Sequence, residues 1–440
     1  MTPARRWLVG VGLVAGVCAA LGAVLLNLVP SDAVLAQRLA AALTDASGVN
    51  VSVGSVHWQL RPWPLVVAQD LVTDQPHPVV LKKLLLYPNI NALWQRRIQL
   101  DLVELAGARV PQRSLRGIDG TAHGQAGTTQ PAAAPPWDGW TLDKLPLSRF
   151  VFQDVLWVSR SGVAVIYNGQ ADFDSGWRPR TLHLRRPDAK RATDLSLVRQ
   201  GQQDRWDVLL NAGGGTGNGE LQVHTLPNGR LQLAGKLQPK GIEVASALQA
   251  FNRRPVVAGQ AAGTTTLSAG GLNAIELMQS LHTRTVFTMG PSTLLRFDVD
   301  KAVRSLGKTH AGQTRLDRVS GQLDTQNTAA GMVIDFSQIN VTSGALSASG
   351  HARVFNRQVD AELAVDLVDG LVGVPLQISG PMDNVTVRVP ASAVAGAVVG
   401  TAVLPVLGTA IGARLGAAIG SLFGPASGAP KPPTQASPKR

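Results

Sequence analysis

The sequence is nearly without cysteine: Cys18 is the only one in 440 residues. A single thiol excludes an intrachain disulfide framework and a thiolate-built metal centre. Aromatic residues make up 5% of the chain and charged residues 16%, so large core anchors are scarce for this length. Lys and Arg outnumber Asp and Glu by 41 to 29, but they are scattered and seldom form runs of more than two. Without a basic stripe or a recognised module, no nucleic-acid partner is expected.

The eight histidines, His57, His77, His123, His183, His224, His282, His310 and His351, are widely spaced, and no pair has metal-motif spacing. Neither a metal nor any other cofactor is expected. No Gly-x-Ser-x-Gly elbow occurs. The stretch Ala302-Val-Arg-Ser-Leu-Gly-Lys-Thr309 fits a relaxed phosphate-loop pattern, but that loop needs a strand before it and a helix after it. Here a helical stretch precedes and His310-Ala-Gly-Gln313 follows. The expectation is a protein that is not an enzyme.

What the chain does contain is alternation. From Leu346 to Val389 apolar and polar residues alternate for about forty positions, with Val359, Ala361, Leu363, Val365 and Leu367 on one side and Asp360, Glu362 and Asp366 on the other. Successive strand side chains project to opposite faces, so this pattern means strands with one apolar and one solvated face. Something must cover the apolar face.

At the start, Trp7 to Val29 carries no charge and follows Arg5 and Arg6. It is long enough to span a bilayer, which takes about twenty helical residues, and longer than the core of a cleaved signal. Val17 stands where a lipoprotein signal would want a small residue before Cys18. Residues 1–30 are therefore expected to form a transmembrane anchor, with 7–29 in the inner membrane and the bulk of the chain in the periplasm of a bacterium. An amphipathic helix over 31–48 follows, capped by Ser31 or Asp32 and ended by Gly48.

Strands fill most of the rest. Val49, Val51 and Val53 alternate, Gly54 allows a bulge, and Val56, Trp58 and Leu60 resume on a shifted register before Pro62 and Pro64. Further candidates are Leu65 to Ala68, Val79 to Tyr87, Ile98 to Val103, Phe150 to Val158, Val163 to Tyr167, Leu182 to Leu184, Leu195 to Val198, Trp206 to Leu210, Leu221 to His224, Leu231 to Leu237, Met332 to Val341 and Val385 to Val389. Helical spacing returns only at Val244 to Phe251, Asn273 to Leu281 and Val299 to Leu306. Residues 117–136 read as a flexible loop.

In residues 391–424 the only charged residue is Arg414, and glycines fall at 396, 400, 408, 412, 416, 420 and 424, every interval a multiple of four. On a helix they line one ridge suited to packing in lipid, so Gly408, Gly412, Gly416 and Gly420 are candidate membrane contacts, with the outer membrane or a membrane protein as the partner. A surface-lying small-residue tail is the alternative. Residues 425–440 form a solvated tail.

Several motifs then carry a family resemblance. Gly54-Ser-Val-His-Trp-Gln-Leu-Arg-Pro-Trp-Pro-Leu65 and Val103-Glu-Leu-Ala-Gly-Ala-Arg-Val110 resemble the amino-terminal strands of the AsmA family. Ala261-Ala-Gly-Thr-Thr-Thr-Leu-Ser-Ala-Gly270, Met278-Gln-Ser-Leu281, Leu316-Asp-Arg-Val-Ser-Gly-Gln-Leu323, Ser343-Gly-Ala-Leu-Ser-Ala-Ser-Gly350 and Val374-Pro-Leu-Gln-Ile-Ser-Gly-Pro381 resemble its carboxyl-terminal region in order.

The resemblance implies an inner-membrane anchor carrying a long, curled antiparallel sheet, a taco-like groove over residues 49–390, related to repeating β-groove proteins of the TamB type. It implies phospholipid or other acyl-chain lipid as ligand and a role in outer-membrane biogenesis and lipid transport. Some twenty strands about 4.8 Å apart give a groove of roughly 100 Å at most. The expected fold is mainly β with a few short helices, and the expected groove face comprises Leu231, Leu233, Leu346, Val359, Ala361, Leu363, Val365, Leu367, Leu376, Ile378, Val385 and Val387. Two alternatives stay open: a closed sandwich whose sheets bury each other, and an assembly factor for outer-membrane proteins that works through exposed strand edges.

Overall fold

A computed structural model describes residues 32–389 except 60–63, 90, 93–96, 117–140, 175–178, 273, 329–330, 345 and 368–372. The expected anchor, the 117–136 loop and the glycine ladder with its tail lie outside the described residues. Among those described, no helix is long and apolar enough to cross a membrane.

All 21 strands among the described residues belong to one sheet. Helix α1 (Asp32–Ser47) leads into β1 (Val51–Gln59), β2 (Leu65–Thr73), β3 (Val80–Pro88) and β4 (Arg97–Pro111). β5 (Thr141–Val158) pairs parallel to β4, the single parallel step among the described strands. An antiparallel meander continues through β6 (Ala164–Phe173), β7 (Pro179–Arg185), β8 (Asp194–Arg199), β9 (Arg205–Ala212), β10 (Gly215–Thr225) and β11 (Leu231–Lys240).

The two-residue β12 (Ile242–Glu243) leads into helix α2 (Val244–Ala250). Then come β13 (Val257–Gly271), helix α3 (Ala274–Gln279), β14 (His282–Leu294), helix α4 (Val299–Arg304) and β15 (Thr314–Leu316). The sheet finishes with β16 (Arg318–Thr328), β17 (Gly331–Thr342), β18 (Leu346–Phe355), β19 (Gln358–Leu367), β20 (Val374–Pro381) and β21 (Thr386–Arg388). Apart from β12 and β15, each strand pairs with its neighbours along the chain: β12 pairs only with β13 and β15 only with β14, while β13 pairs with β11 and β14 with β16.

Local chemistry sets the reversals. Between β18 and β19, Asn356 and Arg357 both have positive φ, 47° and 65°, the two-residue turn whose twist matches paired strands. The phase change foreseen at Gly54 is present, but the pairing register is not shifted. Val53 faces Leu71 and Ser55 faces Gln69 on one unbroken register, because β2 makes the same change at Asp70.

The crease continues across the sheet. Apolar positions on the packed face step by three residues from Val53 to Val56, Ala68 to Leu71, Leu81 to Leu84, Leu105 to Ala108 and Phe152 to Val155. Positive φ at Asp70 (55°), Gly107 (73°) and Asp154 (54°) marks the line. Gly and Asp tolerate this left-handed backbone, so five strands bend together without losing their ladder.

Two apolar cores sit at the ends of the sheet. At the first, Leu35, Ala36, Leu39 and Leu43 of α1 pack on Val56, Val66, Ala68, Leu71 and Leu84. At the second, Val299, Ala302 and Val303 of α4 pack on Leu346, Val365, Leu367, Val374, Leu376 and Val387. Asp298 caps α4 by accepting from Lys301 N at 3.0 Å, and the Thr314 hydroxyl ties its start by accepting from Val299 N at 2.9 Å. A smaller core joins Val244 of α2 to Met289, Leu316 and Val319.

Truncation at the covered end is expected to be costly: Leu376→Ala, at 0% exposure, loses about 2–5 kcal/mol. Leu233→Ala on half-buried β11 loses less than half as much. Urea unfolding of the two variants checks the order.

Candidate functional site, an apolar trough

The register assembles an inner face strand by strand. Direct partners run from Trp58 of β1 through Val66, Leu86, Val103, Phe150, Ala171, Leu182, Leu197, Val208 and Gly219 to Leu237 of β11. The row continues through Thr265, Thr285, Leu323, Phe336, Ala352, Ala361 and Ile378 to Val387 of β21. It crosses nineteen strands without a charged residue, a path of about 90 Å along the sheet at roughly 4.8 Å per strand.

The cover over this row is uneven. α1 covers its start and α4 its end, while Leu182, Leu197, Leu237, Thr265, Thr285, Leu323 and Phe336 in between are only half-buried. Leu231 and Leu233 lie on the same open stretch. The expected groove residues of β18–β21 do share one face, but Leu346, Ala361, Val365, Leu367, Leu376 and Val387 are buried in the protein's own core. Leu363, Ile378 and Val385 pack against that core, and Val359 is half-buried. Most of the missing cover over the long alternation is therefore α4. The open trough lies mainly upstream, at Leu182, Leu197, Leu237, Leu323 and Phe336, which were not among the expected groove residues.

Large side chains lie flat over this floor because glycines face them. Phe152 lies across Gly169, Leu221 across Gly235 and Leu363 across Gly350, and a methyl on Gly321 would sit 3.3 Å from Phe287 Cζ. The trough thus stays apolar and smooth with few aromatics.

One lip is built around α2. Its cap, Glu243, accepts from Ser246 N at 2.6 Å, Ala245 N at 3.2 Å and Gly259 N at 3.2 Å. Burial pushes the Glu243 carboxyl up, but these bonds outweigh it and hold it below the usual range. The turn Gly213–Gly215 passes so close to Gly241–Glu243 that no side chain fits there. At the other end, Arg186, 6% exposed, donates from Nε to Ala250 O at 2.8 Å and from Nη1 to Ile166 O, with its guanidinium 5.5 Å from the Tyr167 ring centroid.

The β5–β6 turn is held from two sides. Arg160 Nη1 donates to Thr328 O at 3.1 Å, and Asn252 Nδ2 donates to Ala164 O at 2.6 Å. Beside it Trp157, Met278, Ser280 and Asn327 line a cavity of about 370 Å³.

Among the described residues no three His, Cys, Asp or Glu side chains converge. The segment resembling a phosphate loop is the end of α4 and its C-terminal turn. Ser305 Oγ accepts from Thr309 N at 3.0 Å and donates to Thr309 O at 2.8 Å, and Gly307 packs on Val387 O. The acidic Asp360 and Glu362 lie on the outer face, where Glu362 is 4.0 Å from His351 Nε2. Asp324 on that face pairs with Arg284 at 2.8 Å. Comparison with family models, curated proteins and solved structures finds no match to this chain.

Removing the Arg186 clamp with Arg186→Gln is expected to cost roughly 1.5–3 kcal/mol, the loss of charge-assisted hydrogen bonds at a buried site. Hydrogen exchange is expected to rise in residues 244–251 while α4 stays protected.

Proposed function

We propose that the chain is an inner-membrane-anchored periplasmic protein of the AsmA type that binds or conducts phospholipid or other acyl-chain lipids along the trough. The observation carrying this reading is the uncharged nineteen-strand row, covered by helices at its two ends and half-exposed between. Acyl chains in the trough would each contribute about 0.8 kcal/mol per buried methylene, while headgroups remain at the lips in water. The finer assignment, transport in outer-membrane biogenesis with 7–29 in the inner membrane and 391–424 at a second membrane, rests on the sequence motifs.

One observation favours a second reading, an assembly factor for outer-membrane proteins. The nine-residue β1 pairs only with β2 among the described strands, and along its other edge Val51 N donates to Thr44 Oγ1 of α1 at 3.0 Å; the remainder of that edge is where strand addition would take place.

Photo-crosslinking residues at Leu233, Leu323 and Val365 separate these readings. Lipid adducts are expected at Leu233 and Leu323, with only internal crosslinks at Val365, which is 0% exposed. Adducts to other proteins alone at Leu233 and Leu323 would overturn the lipid reading.

A further inference from the structure

Beside α2, two loops meet on one lip and present a surface that the apolar row does not account for. The Arg186 to Ala250 O bond brings residues 186–193 against the end of α2. Arg191 Nη1 donates to Gly213 O at 3.2 Å, next to the start of that helix. From these loops and the adjoining strand end, Arg185, Lys190, Arg191, Arg253 and Arg254 are exposed. Phe251 and Val256 flank the arginine pair and are 36% and 43% exposed.

The nearby acids do little to neutralise this lip. Glu243 is engaged by three backbone N–H groups as the cap of α2. Asp383, 3.6 Å from Arg254, is shared with Arg357. Within 186–193 and 251–256 the sole carboxylate is Asp188, and Asp194, the cross-strand partner of Arg185, accepts from Asn211 Nδ2 at 2.8 Å. Clustered Lys and Arg next to exposed aromatic and aliphatic side chains match an interface that is anionic at its surface and apolar just beneath.

We propose that this lip docks on the surface of a bilayer containing anionic phospholipid, with Phe251 and Val256 entering the interface and the five basic side chains facing lipid phosphates. Nucleic acid satisfies the charge but offers nothing for exposed Val256 flanking the arginines, whereas a bilayer satisfies both. The inference deepens the lipid reading: it places the point where lipid passes between a bilayer and the trough on the lip beside α2, and it depends on that reading for its purpose.

The test uses the full chain in phosphatidylcholine nanodiscs and measures capture of vesicles made of phosphatidylcholine alone or mixed with phosphatidylglycerol. Capture of the anionic vesicles is expected to exceed that of neutral ones and to fall with added salt. Replacing Arg185, Lys190, Arg191, Arg253 and Arg254 by Gln is expected to weaken anionic capture at least about tenfold, since each basic residue near such a surface is worth about 1 kcal/mol.

A second readout does not depend on that multiple variant folding. With Cys18→Ser, an environment-sensitive dye at Phe251→Cys is expected to shift to the blue on anionic vesicles only. Equal capture of both vesicle types, capture undiminished by the Gln variant, an unshifted dye, or preferential capture of nucleic acid would each overturn the docking proposal. Lipid adducts at Leu233 persisting in any of those outcomes would leave the trough reading standing; their absence would remove that reading instead.

Discussion

An apolar face that crosses nineteen strands must be covered, and the described residues provide little to cover it with. Four α-helices are described, and the three inside the sheet have seven, six and six residues. α1 and α4 are spent on the two ends, where side chains reach 0% exposure. Between them the row is only half-buried among the described residues, whose strands all belong to one sheet. Every functional statement about this protein depends on that shortage of cover.

The sheet meets the constraint by bending. Left-handed backbone at Asp70, Gly107 and Asp154 lets β1–β5 fold along a common crease while the hydrogen-bonded ladder continues. Glycines opposite Phe152, Leu221 and Phe287 let large side chains lie along the floor, which explains how a chain with 5% aromatic residues lines a long apolar surface. Ion pairs such as Arg284 with Asp324 sit on the solvated face, where each contributes at most about 1 kcal/mol. Cover on the inner face, more than charge on the outer one, sets the stability.

Much of this was legible in the sequence. The alternation around Val359 to Leu367 gives β19 and its inner face, and helical spacing locates α2, α3 and α4 within a few residues. β13 was not legible as a strand, because Ala261-Ala-Gly-Thr-Thr-Thr has no alternation of hydrophobicity to read. Its threonines bond across the ladder, Thr265 Oγ1 with Thr285 Oγ1 at 2.9 Å and Thr266 Oγ1 donating to Arg284 O at 3.4 Å, a relation that exists only once the register is formed. The same is true of the cover: nothing local in Val299-Asp-Lys-Ala-Val-Arg304 says that it lies on Val365 and Leu376. The alternation thus shows which residues share a face, while the burial of Leu346, Ala361, Val365, Leu367, Leu376 and Val387 in the protein's own core follows from tertiary packing.

The central claim is that the open middle of the trough is filled by acyl chains. A nitroxide at Leu237→Cys, in a Cys18→Ser background, reports this in full-length protein extracted together with native lipid. The account predicts high collision rates with molecular oxygen and low rates with a water-soluble nickel chelate. Low rates with both would mean that another protein layer packs there, and high rates with nickel would mean water; either result would contradict the account.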